Sequence, residues 1–349
     1  MSKLLATIGL LRTRATFALV CGLALTFAFA SGESTPVAAA EKVKIGIINE
    51  SSPANEPWSA AMIEAVEKLK AEDGDIEFSV STKAFQPTVA EPIARQLIAD
   101  GHKVMILHSF VLNYVAHTLA KEFPNVAFSV SSFVPPVQPN LTIATASYLQ
   151  IGYSQCWLLA KISKSAKVGF LAAQAVPYAT ELLEGCAIGA KAGDPKSELI
   201  SAYSNSFTDQ QATREQAQSL LDRGVDVIFA ASGTDDALGA FQLCEQRKVP
   251  CIGWGSDSRR YSKNYAVQSA IIDWTVMLKS MVAQVRSGNL KATTFDATYT
   301  NGGLIPQPIE GSTGKLIPGP IQGEFKNMMA DLAAGRIKLP KSKAHPCCP

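Results

Sequence analysis

The feature that most constrains this chain is a repeating rhythm. From Lys42 onward, short apolar runs alternate with amphipathic stretches of helical period. Val43 to Ile48, Ile76 to Val80, Val104 to Leu107 and Val126 to Val130 read as buried strands. Pro57 to Ala71, Val89 to Ala99 and Tyr114 to Glu122 read as the helices between them. Strands separated by helical patterns of about 10–15 residues indicate βαβ units and a parallel sheet. The rhythm then restarts. Lys167 to Leu171, Leu199 to Tyr203, Val225 to Phe229, Cys251 to Trp254 and Ala266 to Ser269 are strands of a second set. Tyr178 to Ala192, Asp209 to Leu221 and Asp235 to Glu245 are its helices. Ser147 to Ser163 is a candidate crossing helix, and Trp274 to Arg286 is a further amphipathic one.

Two such sets predict two α/β lobes in one chain. Lobe 1 spans 41–146 and is completed by about 272–310; lobe 2 spans 147–271; residues 311–349 form an irregular C-terminal segment and tail, with a short helix from Phe325 to Ala334. A length of 349 residues accommodates two cores, and 47% hydrophobic against 18% charged residues supplies them.

The first forty residues are set apart. Lys3, Arg12 and Arg14 precede an apolar stretch from Ala15 to Ala30, and small residues follow. That order describes an export signal over residues 1–40, with cleavage near 30 or 40. Cys21 follows Val20, a poor match to the small residue that precedes a lipidated cysteine, so a periplasmic protein is expected rather than a lipid-anchored one. Without the leader the formal charges balance, which argues for neither nucleic acid nor an acidic surface as partner. Export permits disulfides. Cys156, Cys186, Cys244, Cys251, Cys347 and Cys348 remain, and no C-x-x-C pair is among them. Cys244 and Cys251 flank a helix-to-strand turn and read either as a bonded pair or as two small buried hydrophobes.

Catalytic constellations are sparse. The four histidines, His102, His108, His117 and His345, form no H-E-x-x-H, and no G-x-S-x-G, G-x-G-x-x-G or phosphate loop occurs. His102 and His117 read as surface residues, whereas His108 ends a strand. No cofactor and no metal are expected. In open α/β sheets ligands bind beyond the carboxyl ends of the strands. In the first half those ends carry Asn49-Glu50, His108-Ser109-Phe110 and Ser131-Ser132-Phe133, with Trp58 opening a helix nearby. In the second half they carry Gln174, Ser206-Phe207-Thr208-Asp209, Ser232-Gly233-Thr234-Asp235 and Trp254-Gly255-Ser256-Asp257. Aromatic faces mixed with hydroxyls, amides and carboxylates suit a planar, hydrogen-bonding ligand. The candidate ligand residues are Trp58, Phe207, Asp257, Glu50, Asn49, Phe110, Gly233, Asp235 and Trp254. Several have a plainer alternative: Asp209 and Asp235 are good helix caps, and Phe110 and Phe133 suit a core.

The second half also carries a resemblance. Lys167-Val168-Gly169-Phe170-Leu171 with Pro177 and the stretch Gly185 to Ala190, then Ser206-Phe207-Thr208-Asp209 with QSLLDRGVDVIFA at 218–230, resemble motifs of the basic membrane protein family. Cys251 to Asp257 (CIGWGSD), Gln268-Ser269 and Asp273-Trp274 are similar to others of its motifs. The likeness runs from about Lys42 to Asn289. These are substrate-binding proteins of ABC importers, similar to those for purine nucleosides. The resemblance implies a type I periplasmic-binding-protein fold: two parallel-sheet α/β lobes joined by three crossings. It implies that Trp58 stacks on a base, that Phe207 faces it, and that Asp257 contacts the ligand. Ser59 stands where the family has an asparagine, Ser131 near a missing carboxylate and Ile272 in place of a lysine. Those departures imply a purine base, a modified nucleoside or another planar solute.

The expected function is therefore solute binding for an ABC importer, without catalysis. The expected partners are a purine nucleoside or base and a permease in the inner membrane, and the expected state is a monomer. A sensory binding protein for a membrane receptor would use the same fold and pocket.

Overall fold

The computed structural model describes residues 42–341. The expected leader, Cys21, His345, Cys347 and Cys348 lie outside the described residues. The chain order is β1 (Val43–Asn49), α1 (Pro57–Glu72), β2 (Ile76–Ser81), α2 (Pro87–Ala99), β3 (Val104–His108), α3 (Asn113–Glu122), β4 (Ala127–Ser131) and β5 (Leu141–Ala146). It continues with α4 (Tyr148–Ile162), β6 (Lys167–Ala172), α5 (Pro177–Gly193), β7 (Glu198–Tyr203), α6 (Gln210–Asp222), β8 (Val227–Ala230), α7 (Ala237–Arg247), β9 (Cys251–Gly255) and β10 (Ala266–Ile272). Last come α8 (Thr275–Ser287), β11 (Thr293–Ala297), β12 (Leu304–Pro306), the single turn α9 (Gly311–Gly314) and α10 (Gly319–Ala333).

The strands form two six-stranded sheets, in the orders β11-β5-β4-β3-β1-β2 and β12-β10-β9-β8-β6-β7. Every pairing is parallel except β10 with β12. Burial explains why the central strands are legible as apolar runs: β3, β4 and β9 are buried along their whole length. The chain passes between the sheets three times: from β5 into α4, from β10 into α8, and from β11 to β12. These passages are tied together, because the Ser147 N–H donates to the Ala297 carbonyl (2.9 Å) and the Asp273 N–H to the Gly303 carbonyl (2.9 Å).

The strand β5 corrects the sequence reading, which had no element there. Its sequence LTIATA holds two threonines and two alanines and makes no dense apolar run. Its Thr142 hydroxyl meets the Thr293 hydroxyl of β11 at 2.9 Å. The C-terminal segment also departs from expectation. Helix α10 begins six residues before Phe325, with Pro320 in its first turn, where a missing N–H costs nothing. Its Phe325 packs on Trp157 of α4, and Glu324 pairs with Lys161 at 2.7 Å. His102, read as a surface residue, is buried and bonds the Leu97 carbonyl and the Ser79 hydroxyl.

Helices α4 and α5 pack with their backbones nearly touching. A Cβ built on Gly152 would lie 2.1 Å from the Leu182 carbonyl oxygen, and one on Gly185 would lie 2.2 Å from that of Leu149. The same approach places the Cα atoms of Cys156 and Cys186 4.9 Å apart, and these residues form a disulfide. Cys244 and Cys251 are free and buried, the second of the two readings above. Among the described residues, no helix is long and apolar enough to cross a membrane.

Candidate functional site

The carboxyl ends of both sheets face one seam, and the lobes touch across it. The Trp58 N–H, in the first turn of α1, donates to the Gly233 carbonyl of the other lobe at 3.2 Å. The Ser51 hydroxyl lies 2.7 Å from both carboxylate oxygens of Asp235. Arg260 of lobe 2 pairs with Glu64 of α1. The lobes are thus closed on each other.

Between them lies a pocket with about 450 Å³ of space among its lining atoms, the open solvent at its mouth included. Lobe 1 contributes Glu50, Trp58, Phe110, Phe133 and the hydroxyls of Ser131, Ser132 and Thr145. Tyr148 comes from the start of α4, and lobe 2 contributes Tyr178, Trp254 and the loop Ser232-Gly233-Thr234. The walls are aromatic on most sides. Tyr148 meets Trp254 edge-on at 5.5 Å, Tyr178 lies 5.8 Å from Trp254, and Phe133 lies 6.4 Å from Tyr148.

Trp58 is held rigidly. Its ring stacks on His108 at 4.3 Å with planes 3° apart, and Trp274 stands perpendicular to both. Its indole N–H donates to the His108 carbonyl (3.1 Å), and His108 Nε2 returns a bond to the Trp58 carbonyl (3.1 Å). A carbonyl only accepts, so Nε2 carries the proton. Burial pushes the His108 pKa down to about 3, against a smaller opposing effect of that bond, so the ring is neutral. A tryptophan fixed on one face by a neutral ring is preorganised to offer another surface to a ligand.

The lobe 2 wall depends on Gly233, whose φ is +75°. A Cβ there would lie 2.3 Å from the Trp254 ring, so only glycine fits. The loop is organised by Asp236, which accepts from the hydroxyls of Ser232 (2.5 Å), Thr234 (2.6 Å), Thr213 (3.0 Å) and Ser204 (3.2 Å). Burial raises the Asp236 pKa, and those four bonds hold it down.

Polar atoms in the cavity wall are left without partners. Glu50 Oε2, Ser131 Oγ and Thr145 Oγ1 are buried and make no hydrogen bond. Burial pushes the Glu50 pKa up to about 7, opposed by the adjacent Ser109 hydroxyl and Glu56 carboxyl. Unpaired buried polar atoms cost roughly 1–3 kcal/mol each. All three residues line the cavity, where a ligand can supply the missing partners.

Of the nine candidate residues, Glu50, Trp58, Phe110, Gly233 and Trp254 line this cavity. The other four are placed elsewhere. Asn49 is fully buried, and its amide donates to the Ser59 carbonyl (3.3 Å), which pins the loop. Phe207 packs outside the cavity on Phe110, at 6.1 Å. Asp235 is engaged by Ser51. Asp257 caps the short 3₁₀ turn Ser258–Arg260 and is gripped by the Arg259 guanidinium at 2.6 Å. Asp209 does cap α6, accepting from the Ala212 N–H. Phe133, read as core, stands in the wall with Phe110. Sequence reasoning missed Thr145 and Tyr148, which follow the unrecognised β5, and Tyr178, which sits in the first turn of α5 beyond β6. The strand-end rule that picked Gln174 after β6 reaches Tyr178 four residues later.

Comparisons with known proteins agree with this architecture. A solved ABC transporter solute-binding protein from Conexibacter woesei superposes with a TM-score of 0.72 at 27% identity, over 85% of this chain and 98% of that one. One from Aeropyrum pernix does so at 0.70 and 14% identity, over 86% and 94%. Both are similar in fold, the type I periplasmic arrangement. Among curated proteins, the chain is 24% identical to a purine-binding protein of Brucella abortus, over 68% of this chain and 67% of the relative. It is 22% identical to the ABC transporter nucleoside-binding protein BmpA of Lactococcus lactis, over 69% and 72%. The family described as ABC transporter substrate-binding protein PnrA-like matches residues 42–299. That match spans most of the chain, which therefore belongs to the Bmp family of ABC transporter substrate-binding proteins.

Proposed function

We propose that this protein is a periplasmic receptor that binds a purine base or purine nucleoside between its lobes and delivers it to an ABC permease in the inner membrane. The observation that carries the reading is the aromatic cavity at the lobe seam with unpartnered polar atoms in its wall. A purine offers π faces for Trp58, Phe110, Tyr148 and Trp254, and ring nitrogens and N–H groups for Glu50, Ser131 and Thr145. Base–aromatic stacking contributes about 1–3 kcal/mol per base in nucleic-acid complexes. The names of the Brucella and Lactococcus relatives point the same way. Among these solutes the free base is favoured. Asp257, the carboxylate that the family resemblance assigns to the ligand, is held by Arg259 instead.

Binding works through hinge closure. Ligand contacts from both lobes stabilise the closed form, which already has Trp58 N–H to Gly233 and Ser51 to Asp235 as its own seam bonds. No step in this cycle breaks a covalent bond, and the protein is read as a binding protein, not an enzyme. The test is titration calorimetry against adenine, hypoxanthine, adenosine, inosine, pyrimidines and sugars. Saturable binding of purines alone supports the reading. Binding confined to sugars or pyrimidines discards the purine assignment.

A further inference from the structure

Three carboxyl groups meet beside the cavity, from both sides of the seam. Glu50 and Glu56 belong to the loop between β1 and α1, and Asp235 reaches that loop from lobe 2 through Ser51. Glu50 is 8% exposed and lines the cavity, and its Oε2 has no hydrogen-bond partner. Glu56 is 2% exposed, and one of its oxygens accepts from the Ser59 hydroxyl. The titratable groups that face Glu50 are Glu56 on its own loop, Asp235 from lobe 2, Tyr148 from α4 and Tyr178 from α5. All of them are acids. Ser109 after β3 adds a hydroxyl. The two buried carboxyls, Glu50 and Glu56, do not both ionise so close together and away from water, and the proton belongs to the pair. Burial pushes Glu56 well above the ordinary carboxylate range, and the neighbouring Glu50 adds to that effect.

We propose that closing the lobes on a ligand takes up a proton held between Glu50 and Glu56, and that Glu50 meets the ligand as a neutral acid reading an edge that carries an N–H beside a lone pair. The inference rests on the cavity being a purine site. A carboxylic acid presents one donor and one acceptor side by side. It complements the ring N–H and carbonyl of a 6-oxopurine, or the amino group and ring nitrogen of a 6-aminopurine. An ionised carboxylate only accepts, and it suits an edge with two N–H groups. In the open form Asp235 departs with lobe 2, water reaches the loop and the carboxyls return toward ordinary values. The proton therefore enters with closure.

The test is calorimetry of the purified protein with adenine and with hypoxanthine from pH 5 to 8.5, in buffers of different ionisation enthalpy. The expected result is net proton uptake on binding near pH 6–7. The association constant should fall by up to about tenfold per pH unit between pH 5 and 7 and level off above. Glu50→Gln should reduce the uptake and flatten the slope, because an amide keeps a donor without titrating, and adding Glu56→Gln should abolish what remains, since Glu56 is itself buried. If that variant does not fold, the wild-type uptake still decides. Purine binding with a flat profile and no uptake overturns the inference and leaves the purine reading standing. No purine binding at any pH overturns both.

Discussion

Reducing the Cys156–Cys186 bond should destabilise the protein by an amount that chain statistics set. The bond closes a loop of 30 residues between α4 and α5. Loop-closure entropy for that length is roughly 12 cal/mol/K, or about 3.6 kcal/mol at 25 °C. Unfolding about 300 residues carries an entropy of roughly 0.6 kcal/mol/K, so the melting temperature should drop by about 6 °C. The local packing argues that the helices stay together after reduction. Gly152 and Gly185 already bring the two backbones into contact, and both cysteines are fully buried. The assay is differential scanning calorimetry with and without a phosphine reductant, with thiol counting to verify reduction. Reduction avoids the cavities that replacing buried cysteines would add. A reduced protein that melts within about 1 °C of the oxidised one would refute the loop-entropy argument. A reduced protein with no cooperative transition would refute the claim that glycine packing holds the pair.

Other outcomes follow from the site. Trp58→Ala should weaken purine binding by about 1–3 kcal/mol, which is up to about 150-fold, while Asp257→Asn should change it little; calorimetry of both variants decides, and the reverse ranking would return Asp257 to the site. Gly233→Ala should cost about 1–2 kcal/mol for its left-handed backbone and displace Trp254, so ligand affinity should drop along with the melting temperature; an unchanged affinity would mean that this wall is not used. Stability should peak on the mildly acidic side. Burial raises Glu50 to about 7, Glu181 to about 8 and Asp296 to about 6. Groups with raised folded pKa values contribute stability that is full below their unfolded values and lost as pH rises through the folded ones. His108, lowered to about 3, acts in the opposite direction: its contribution is present above about 6.5 and lost as pH falls toward 3. Melting temperature should therefore decline from pH 6 to pH 8.5, and a rise over that interval would contradict the burial assigned to these carboxyls.

Much of this architecture is legible in the sequence because its central strands are buried on both faces. Runs such as VMILH in β3 and VIFA in β8 are too short for a buried helix and fit a buried strand. The edges were harder. TTFDA in β11 and LIP in β12 pair late in the chain with strands distant in sequence, and neither has an apolar run to announce it. The site divides in the same way. Glu50, Trp58, Phe110, Gly233 and Trp254 follow from the rule that ligands sit beyond strand carboxyl ends. Tyr148 was hidden because β5 was hidden. Asp257 does not line the cavity, because Arg259, only two residues away, holds its carboxylate locally. Asp235 and Asp236 are adjacent, and no sequence pattern tells which one gathers the loop's hydroxyls and which one crosses the seam. Tertiary contact decides that: the Ser51 hydroxyl takes the first and four hydroxyls take the second.

The most direct test of the central claim is a crystal structure of the protein with adenine or hypoxanthine bound. The account predicts a purine ring between the lobes, in contact with Trp58 and with an N–H or ring nitrogen within hydrogen-bond distance of Glu50. A purine bound elsewhere, or a seam cavity occupied by a different solute class under the same conditions, would contradict it.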